Sequence, residues 1–255
     1  MSMNNGTILS NKELRAAAIE QWSGGWVKIL AAVIIASLVN SLTSLHSSWA
    51  ALHRWSVVPF APPKFSLTWL IFQTILTIMV SGAIYLGTVG FSLKIARGKD
   101  VTVKNIFDGF KRFLSASLLM FFMYLFIILW CFLLIIPGII KSLSYSMAFY
   151  IMHDNPEIKT LDAITKSRAM MKGNKRRLCL LILGFPFVTK SGLLCLAFSI
   201  VSVFVVVNFY AAISIMVLIL GVLFYIMGTQ IMLTIANFYN NLKENQMAPV
   251  INTES

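Results

Sequence analysis

Acidic side chains are scarce in this sequence: Asp and Glu together supply nine of 255 residues, and none falls inside a long apolar run. That absence removes the most direct sequence sign of an intramembrane proton or cation relay. Histidine is thin as well. His46, His53 and His153 fall in loops, with no H-E-x-x-H and no dense cluster of His, Cys and acid, so metal-assisted hydrolysis lacks its ligands. The three cysteines, Cys131, Cys179 and Cys195, lie within or beside apolar segments without C-x-x-C spacing and read as buried packing residues. Neither a G-x-S-x-G elbow nor a phosphate-cradling G-x-x-x-x-G-K-[ST] loop occurs. No catalytic, cofactor-binding or metal-ligating residue is assigned, no cofactor is expected, and nothing in the residues supports an enzyme.

What the chain has in quantity is apolar surface. Hydrophobic residues make up 58% of it and charged residues 12%, outside the usual range for a soluble domain. Several uninterrupted apolar stretches reach the roughly 20 residues that a helix needs to cross a hydrocarbon core of about 30 Å. The formal charge of +12 does not indicate nucleic acid, because the basic residues sit in short loops beside apolar runs and are not interleaved with stacking aromatics.

The polar N-terminal segment, residues 1–25, is too long for the usual start of a cleaved signal, so the apolar stretch after it reads as a retained first span. Within it, SNKELRAAAIEQW predicts a short surface helix, with Ser10 as N-cap and Glu13 as its capping-box partner, broken at Gly24 and Gly25. The first span is expected from about Trp26 to Leu45 and the second from about Leu67 to Leu93. Between residues 94 and 112, six Lys and Arg stand against two Asp; between 154 and 177, seven stand against three acids. Both loops should face the cytoplasm.

The chain between these loops must then cross an even number of times. Residues 113–152 would extend roughly 60 Å as one helix, twice the hydrocarbon thickness, so they are expected to double back, with Pro137 and Gly138 as the tip of a helical hairpin. A second leg over about 139–152 is short for a full crossing, which leaves open whether it is re-entrant. Residues 178–239 carry one charge, Lys190, and divide near Asn208 into a fifth and a sixth span, the latter ending near Ala236. The result is an all-α polytopic bundle of about six spans over residues 26–239, basic loops at 94–112 and 153–177, a tail over 240–255, and both termini cytoplasmic. This arrangement places 17 of the 21 Lys and Arg inside and Arg54, Lys64 and Lys141 outside.

The spans contain neutral polar residues, Asn40, Gln73, Asn208 and Gln230 with serines at 142, 144 and 146, which suit hydrogen bonds between helices or, in the rival reading, a polar path. Lys190 is either an intramembrane contact or a snorkelling side chain. Ala83, Gly87 and Gly90 form a small-residue stripe that lets another backbone approach. In DNPEIKTLDAITKSRAMMKGNKRR, Asn155 is the expected cap, Pro156 the first helical residue and Gly173 the stop. The face of Ile158, Leu161, Ile164 and Met171 is expected either on the membrane, with Lys166, Lys175, Arg176 and Arg177 meeting anionic headgroups, or on a solvated connector.

Three segments, IARGKDVTVKNIFDGFKRF, IIPGIIKSLSYSMAFYIMHDNPEIKTLDAITKSRAMMKGNKRRL and ANFYNNL, resemble the domain of unknown function 975 family of bacterial membrane proteins. Residues 184–226 depart from that family's Trp-rich fifth span. The resemblance implies an integral protein of a bacterial cytoplasmic membrane and supplies no activity. The functional expectation is a non-enzymatic protein of envelope maintenance or protection, whose basic cytoplasmic face binds anionic phospholipid or a membrane-protein partner. The rivals are a small-solute transporter or channel subunit and a lipid-modifying enzyme at the membrane interface.

Overall fold

The computed structural model describes residues 9–42, 67–184 and 226–246. These are helical: α1 (Asn11–Leu42), α2 (Leu67–Ala96), a 3-10 helix (Val103–Arg112), α3 (Phe113–Leu133), α4 (Ile135–Tyr145), α5 (Ala148–Asp154), α6 (Thr160–Met170), α7 (Lys175–Leu183) and α8 over residues 226–246. No strand occurs among the described residues. Four of the described helical stretches are long and apolar enough to cross a membrane: Asn11–Val39, Ile71–Ala96, Val103–Phe132 and Ile135–Asp154. In the third, Lys104, Asp108, Lys111 and Arg112 precede Phe113, so the part suited to hydrocarbon begins at α3. This is the build of a membrane protein. The expected spans between 184 and 226 fall outside the described residues.

The chain divides into two compact units, one of Met1–Leu30, Ile95–Lys99 and Gly173–Ser255, the other of Ala31–Lys94 and Asp100–Lys172. In the first, α1 begins with the expected capping box: Glu13 Oε2 accepts the Ser10 N–H at 2.7 Å, and Ser10 Oγ accepts the Glu13 N–H at 3.3 Å. The glycines do not end this helix. Gly25 leaves helical geometry (φ −150°, ψ 26°) and kinks it, so the expected surface helix and first span are one element. At the other end of the chain α8 runs past Ala236 to residue 246, correcting the expected stop. Several of its buried polar residues find partners. Gln21 and Asn237 exchange two amide hydrogen bonds (3.4 and 3.1 Å), and Trp22 Nε1 donates to Thr229 Oγ1 (3.0 Å). Arg97 donates twice to Asn240 Oδ1 (3.2 and 3.1 Å).

The second unit contains the hairpin. Residues 113–152 do double back, but the turn is at Leu134 (φ −162°, ψ 141°), three residues before the expected tip. Pro137 sits in the first turn of α4, where its missing N–H removes no helical bond. Gly138 is helical and buried, and its contribution is close approach: a Cβ there would lie 2.2 Å from Cys131 Sγ. Cys131 is therefore a packing residue against Gly138 on an exposed surface, and Cys179 is half-buried, so neither is the fully buried thiol expected. Phe132, Ile135 and Ile136 around the turn are 92%, 73% and 72% exposed. Such an apolar tip suits lipid. Its backbone is closed locally, Leu134 N–H to Trp130 C=O at 3.0 Å and Gly138 N–H to Leu134 C=O at 3.3 Å, as non-helical backbone in hydrocarbon requires. Lys141 Nζ folds back 4.3 Å from the Trp130 ring centroid, linking the two legs.

The return leg is longer than expected, reaching from Ile135 to Asp154, and it is broken at Ser146–Met147 between α4 and α5. The break is repaired from α6. Ser167 Oγ donates to Ser144 C=O at 2.8 Å and accepts the Met147 N–H at 3.2 Å, all in buried surroundings. Ser142, Ser144 and Ser146 donate their own hydroxyls to carbonyls one turn back.

α6 itself corrects two expectations. Asn155 ends α5, with its N–H on Ile151 C=O at 3.0 Å, and the helix starts at Thr160 instead of Pro156. Its apolar side is turned into the protein: Ile164, Met170 and Met171 are buried, while Leu161 is left exposed. Packing against the hairpin takes up this side and delivers Ser167 to the broken leg. Gly173, at φ +84°, does terminate the segment.

Candidate functional site

Charged side chains are brought together at the loop between α2 and α3. Val103–Arg112 winds with three residues per turn, so side chains three apart stand directly above one another. The sequence keeps that period. Thr102, Asn105, Asp108 and Lys111 form one edge: Asn105 Oδ1 accepts the Thr102 N–H (2.9 Å), Asn105 Nδ2 donates to Asp108 Oδ2 (3.1 Å), and Lys111 Nζ donates to Asp108 Oδ1 (2.8 Å). Phe107, Phe110 and Phe113 form a second edge, with ring centroids 6.1 Å apart at each step. Ile106 and Gly109 form the third and are buried. Runs of 3-10 helix beyond three or four residues are uncommon, and these ladders supply what the strained backbone bonds do not.

The buried edge meets α2 through glycine. A Cβ at Gly87 would lie 1.6 Å from the Ile106 carbonyl oxygen, and one at Gly109 would lie 1.9 Å from that of Ala83. Gly90, one turn on, faces the His153 ring, whose Nε2 would be 2.4 Å from an added Cβ. The Ala83, Gly87 and Gly90 stripe therefore serves packing within the chain, against the 3-10 helix and α5.

These contacts leave a cavity of about 170 Å³, lined among others by Lys94, Asn105, Asp108, Lys111, Arg112 and His153. Lys94 is in the last turn of α2, Arg112 immediately precedes α3, and His153 is in the last turn of α5. Three helices thus bring one end each to the same pocket, with a charged or titratable side chain of each end in its lining. Arg112 NH1 donates to Met152 C=O at 2.6 Å, tying the α2–α3 loop directly to the end of the returning leg. His153 is helical here, not in a loop. Its Nδ1 is buried without a hydrogen-bond partner, 3.7 Å from Asp154 Oδ1.

Asp108 is the electrostatic hub. Hydrogen bonds from Lys111 and then Asn105, with Lys94 Nζ at 3.3 Å from Oδ2, hold its carboxyl down at about 2, below an ordinary value of 3.8. Because the folded value is depressed, these contacts stabilise fully above pH 3.8, and that contribution is lost as pH falls through about 2. Asp108→Asn is expected to flatten the acid limb of stability between about pH 4 and 2, read by thermal unfolding of the detergent-solubilised protein. An unchanged acid limb would mean that the ladder contributes nothing. Burial lowers Arg112 from its ordinary value, with Glu157 opposing, and the guanidinium remains a cation.

The residues singled out in the sequence are dispersed. Lys175, Arg176 and Arg177 open α7 in the first unit, whereas exposed Lys166 belongs to α6 in the second. Arg177 is committed to structure: its guanidinium donates to Leu9 C=O and Asn11 Oδ1 and lies 5.3 Å from the Phe238 ring centroid. Gln73 is half-buried on α2 in the second unit; Gln230 is buried on α8 in the first, its Oε1 without a hydrogen-bond partner. Asn40 lies in α1 with its side chain outside the described residues, and Lys190 and Asn208 lie outside them altogether. The cavity residues were not singled out. The signal was there in the three-residue repeat of VKNIFDGFKRF, which is invisible to a search for periods of 3.6 or 2.

Comparison with family models matches residues 132–246 to "Protein of unknown function (DUF975)". This stretch is similar to the DUF975 family. It takes in the turn at Leu134, α4 to α7 and α8, and its bounds enclose residues 184–226, which were expected to depart from the family. The 3-10 helix, whose sequence also suggested the resemblance, precedes the DUF975 match, so the cavity joins DUF975 residues such as His153 to others upstream of it. No curated protein and no solved structure matches the chain.

Proposed function

We propose that this chain is a multi-pass protein of a bacterial cytoplasmic membrane, non-enzymatic, with six spans and both termini inside, whose basic face engages anionic phospholipid. One observation carries the reading: the ends of α2, α3 and α5 converge on a single cationic pocket, and Arg112 bonds across to Met152. Two loops rich in Lys and Arg that meet at one end of a helical bundle favour one side of the membrane for both. Exposed Lys166 in the second unit and, separately, half-buried Lys175 and exposed Arg176 at the start of α7 in the first carry further cationic side chains. Each basic residue near an anionic surface is worth about 1 kcal/mol, so three together amount to roughly a hundredfold preference.

The test is lipid preference in reconstituted vesicles. Phosphatidylglycerol is expected to be enriched around the wild-type protein over phosphatidylcholine, and Lys166→Gln, Lys175→Gln and Arg176→Gln together should cut that enrichment by one to two orders of magnitude. Arg177 is left intact because its guanidinium holds the N-terminal segment. Equal enrichment in wild type and triple variant would reject the lipid-binding face.

A further inference from the structure

The cavity beside the 3-10 helix is chemically more selective than a basic surface. We infer that it is a binding site for a phosphate group, held by Lys94, Lys111 and Arg112 at the boundary where α2, α3 and α5 end. This deepens the reading above and rests on it only for the side of the membrane.

Size is the first argument. A volume of about 170 Å³ holds several waters and leaves room for a phosphate with part of its ester arm. Charge is the second. Lys94 and Lys111 both pair with Asp108 and Arg112 lines the same cavity, so the lining carries a formal surplus of two positive charges before His153 is counted. Availability is the third. Arg112 uses NH1 on Met152 C=O, so the rest of its planar fork is open to a second acceptor, the geometry that suits phosphate oxygens. Lys111 has a side chain 79% exposed and can turn from Asp108 to a ligand without disturbing the core. Asp108, the one anion in the set, repels a phosphate and so tunes the site; it also keeps Lys94 and Lys111 in place while the site is empty.

This role gives Asp108 a sign that a merely structural role would not. Asp108→Asn removes the repulsion and should tighten phosphate binding about fivefold, while Lys111→Gln should weaken it about fivefold and Arg112→Gln by more. Lys12→Gln, exposed on α1 and absent from the cavity lining, should leave it unchanged. The phosphate could come from a lipid headgroup or from solution, and two arms separate these sources. In nanodiscs of phosphatidylcholine alone, inorganic phosphate is titrated and followed by phosphorus NMR line width; in a second set, retained phosphatidylglycerol is counted by native mass spectrometry.

Binding in either arm that strengthens in Asp108→Asn and weakens in Lys111→Gln supports the site, and the responding arm names the source. Binding in neither arm, or binding indifferent to positions 108 and 111, overturns it. Lys111 is exposed enough that its variant should fold; thermal unfolding of each variant is run alongside, and Lys111→Glu repeats the measurement by charge reversal. If the triple surface variant loses phosphatidylglycerol while the cavity variants keep it, and inorganic phosphate binding is indifferent to the cavity variants, this inference fails and the surface reading stands. The opposite pattern leaves the cavity and removes the surface.

Discussion

Gly87→Ala is expected to destabilise the protein by about 3 kcal/mol or more, and Gly109→Ala by a similar amount. The added carbon would meet the Ile106 carbonyl oxygen at 1.6 Å in the first case and that of Ala83 at 1.9 Å in the second. Both obstacles are backbone, so no rotamer change relieves them, and the 3-10 helix must lift away from α2. Lifting it separates Ile106 from its buried site and pulls Asp108 away from Lys94, so packing and the ion pair are lost together. Gly24→Ala provides the contrast: nothing lies within 4 Å of a Cβ there, and alanine should gain up to about 1 kcal/mol of helix propensity. Unfolding in mixed detergent micelles measures all three. Wild-type stability in Gly87→Ala would show that the two backbones do not meet.

Ser167→Ala carries the second large effect, about 2–3 kcal/mol. The hydroxyl serves two backbone groups at once, Ser144 C=O and Met147 N–H, and all three residues are buried. Removing it strands a donor and an acceptor where water does not reach, which costs more than the bonds themselves contribute. The α4–α5 break should then open, seen as faster hydrogen exchange at Met147. Ser142→Ala removes a hydroxyl that bonds only Ile139 C=O on an exposed surface and should change stability by less than about 0.5 kcal/mol. Equal effects from the two serines would contradict the repair assigned to Ser167.

Length and charge made the doubling-back of residues 113–152 legible, because no single helix of that length fits a bilayer with basic residues at both ends. The position of the turn was not legible. Pro and Gly suit both a turn and the first turn of a helix, and only the packing of Gly138 on Cys131 decides for the helix. Local grammar worked where it concerned neighbours in sequence, as with Ser10 and Glu13. It misled where a distant partner competed: Asn155 closes α5, and the apolar side of α6 is taken by the hairpin. The polar end of α8 read as tail because nothing local explains buried asparagine; its partners, Gln21 and Arg97, are far away in the chain. The candidate site was hidden for a related reason. Its residues were visible as a basic loop, but their convergence depends on a period of three and on glycines that let the loop lie flat on α2.

The most direct measurement concerns the two ends of the hairpin. With Cys131, Cys179 and Cys195 replaced by alanine, single cysteines at the exposed positions Lys104 and Glu157 are treated with a membrane-impermeant thiol reagent in intact cells and again after permeabilisation. Both positions are expected to be shielded in intact cells and to react together once the membrane is opened. Reaction of one and not the other in intact cells would put Arg112 and Met152 on opposite faces of the bilayer, and neither the hairpin nor the shared pocket could stand.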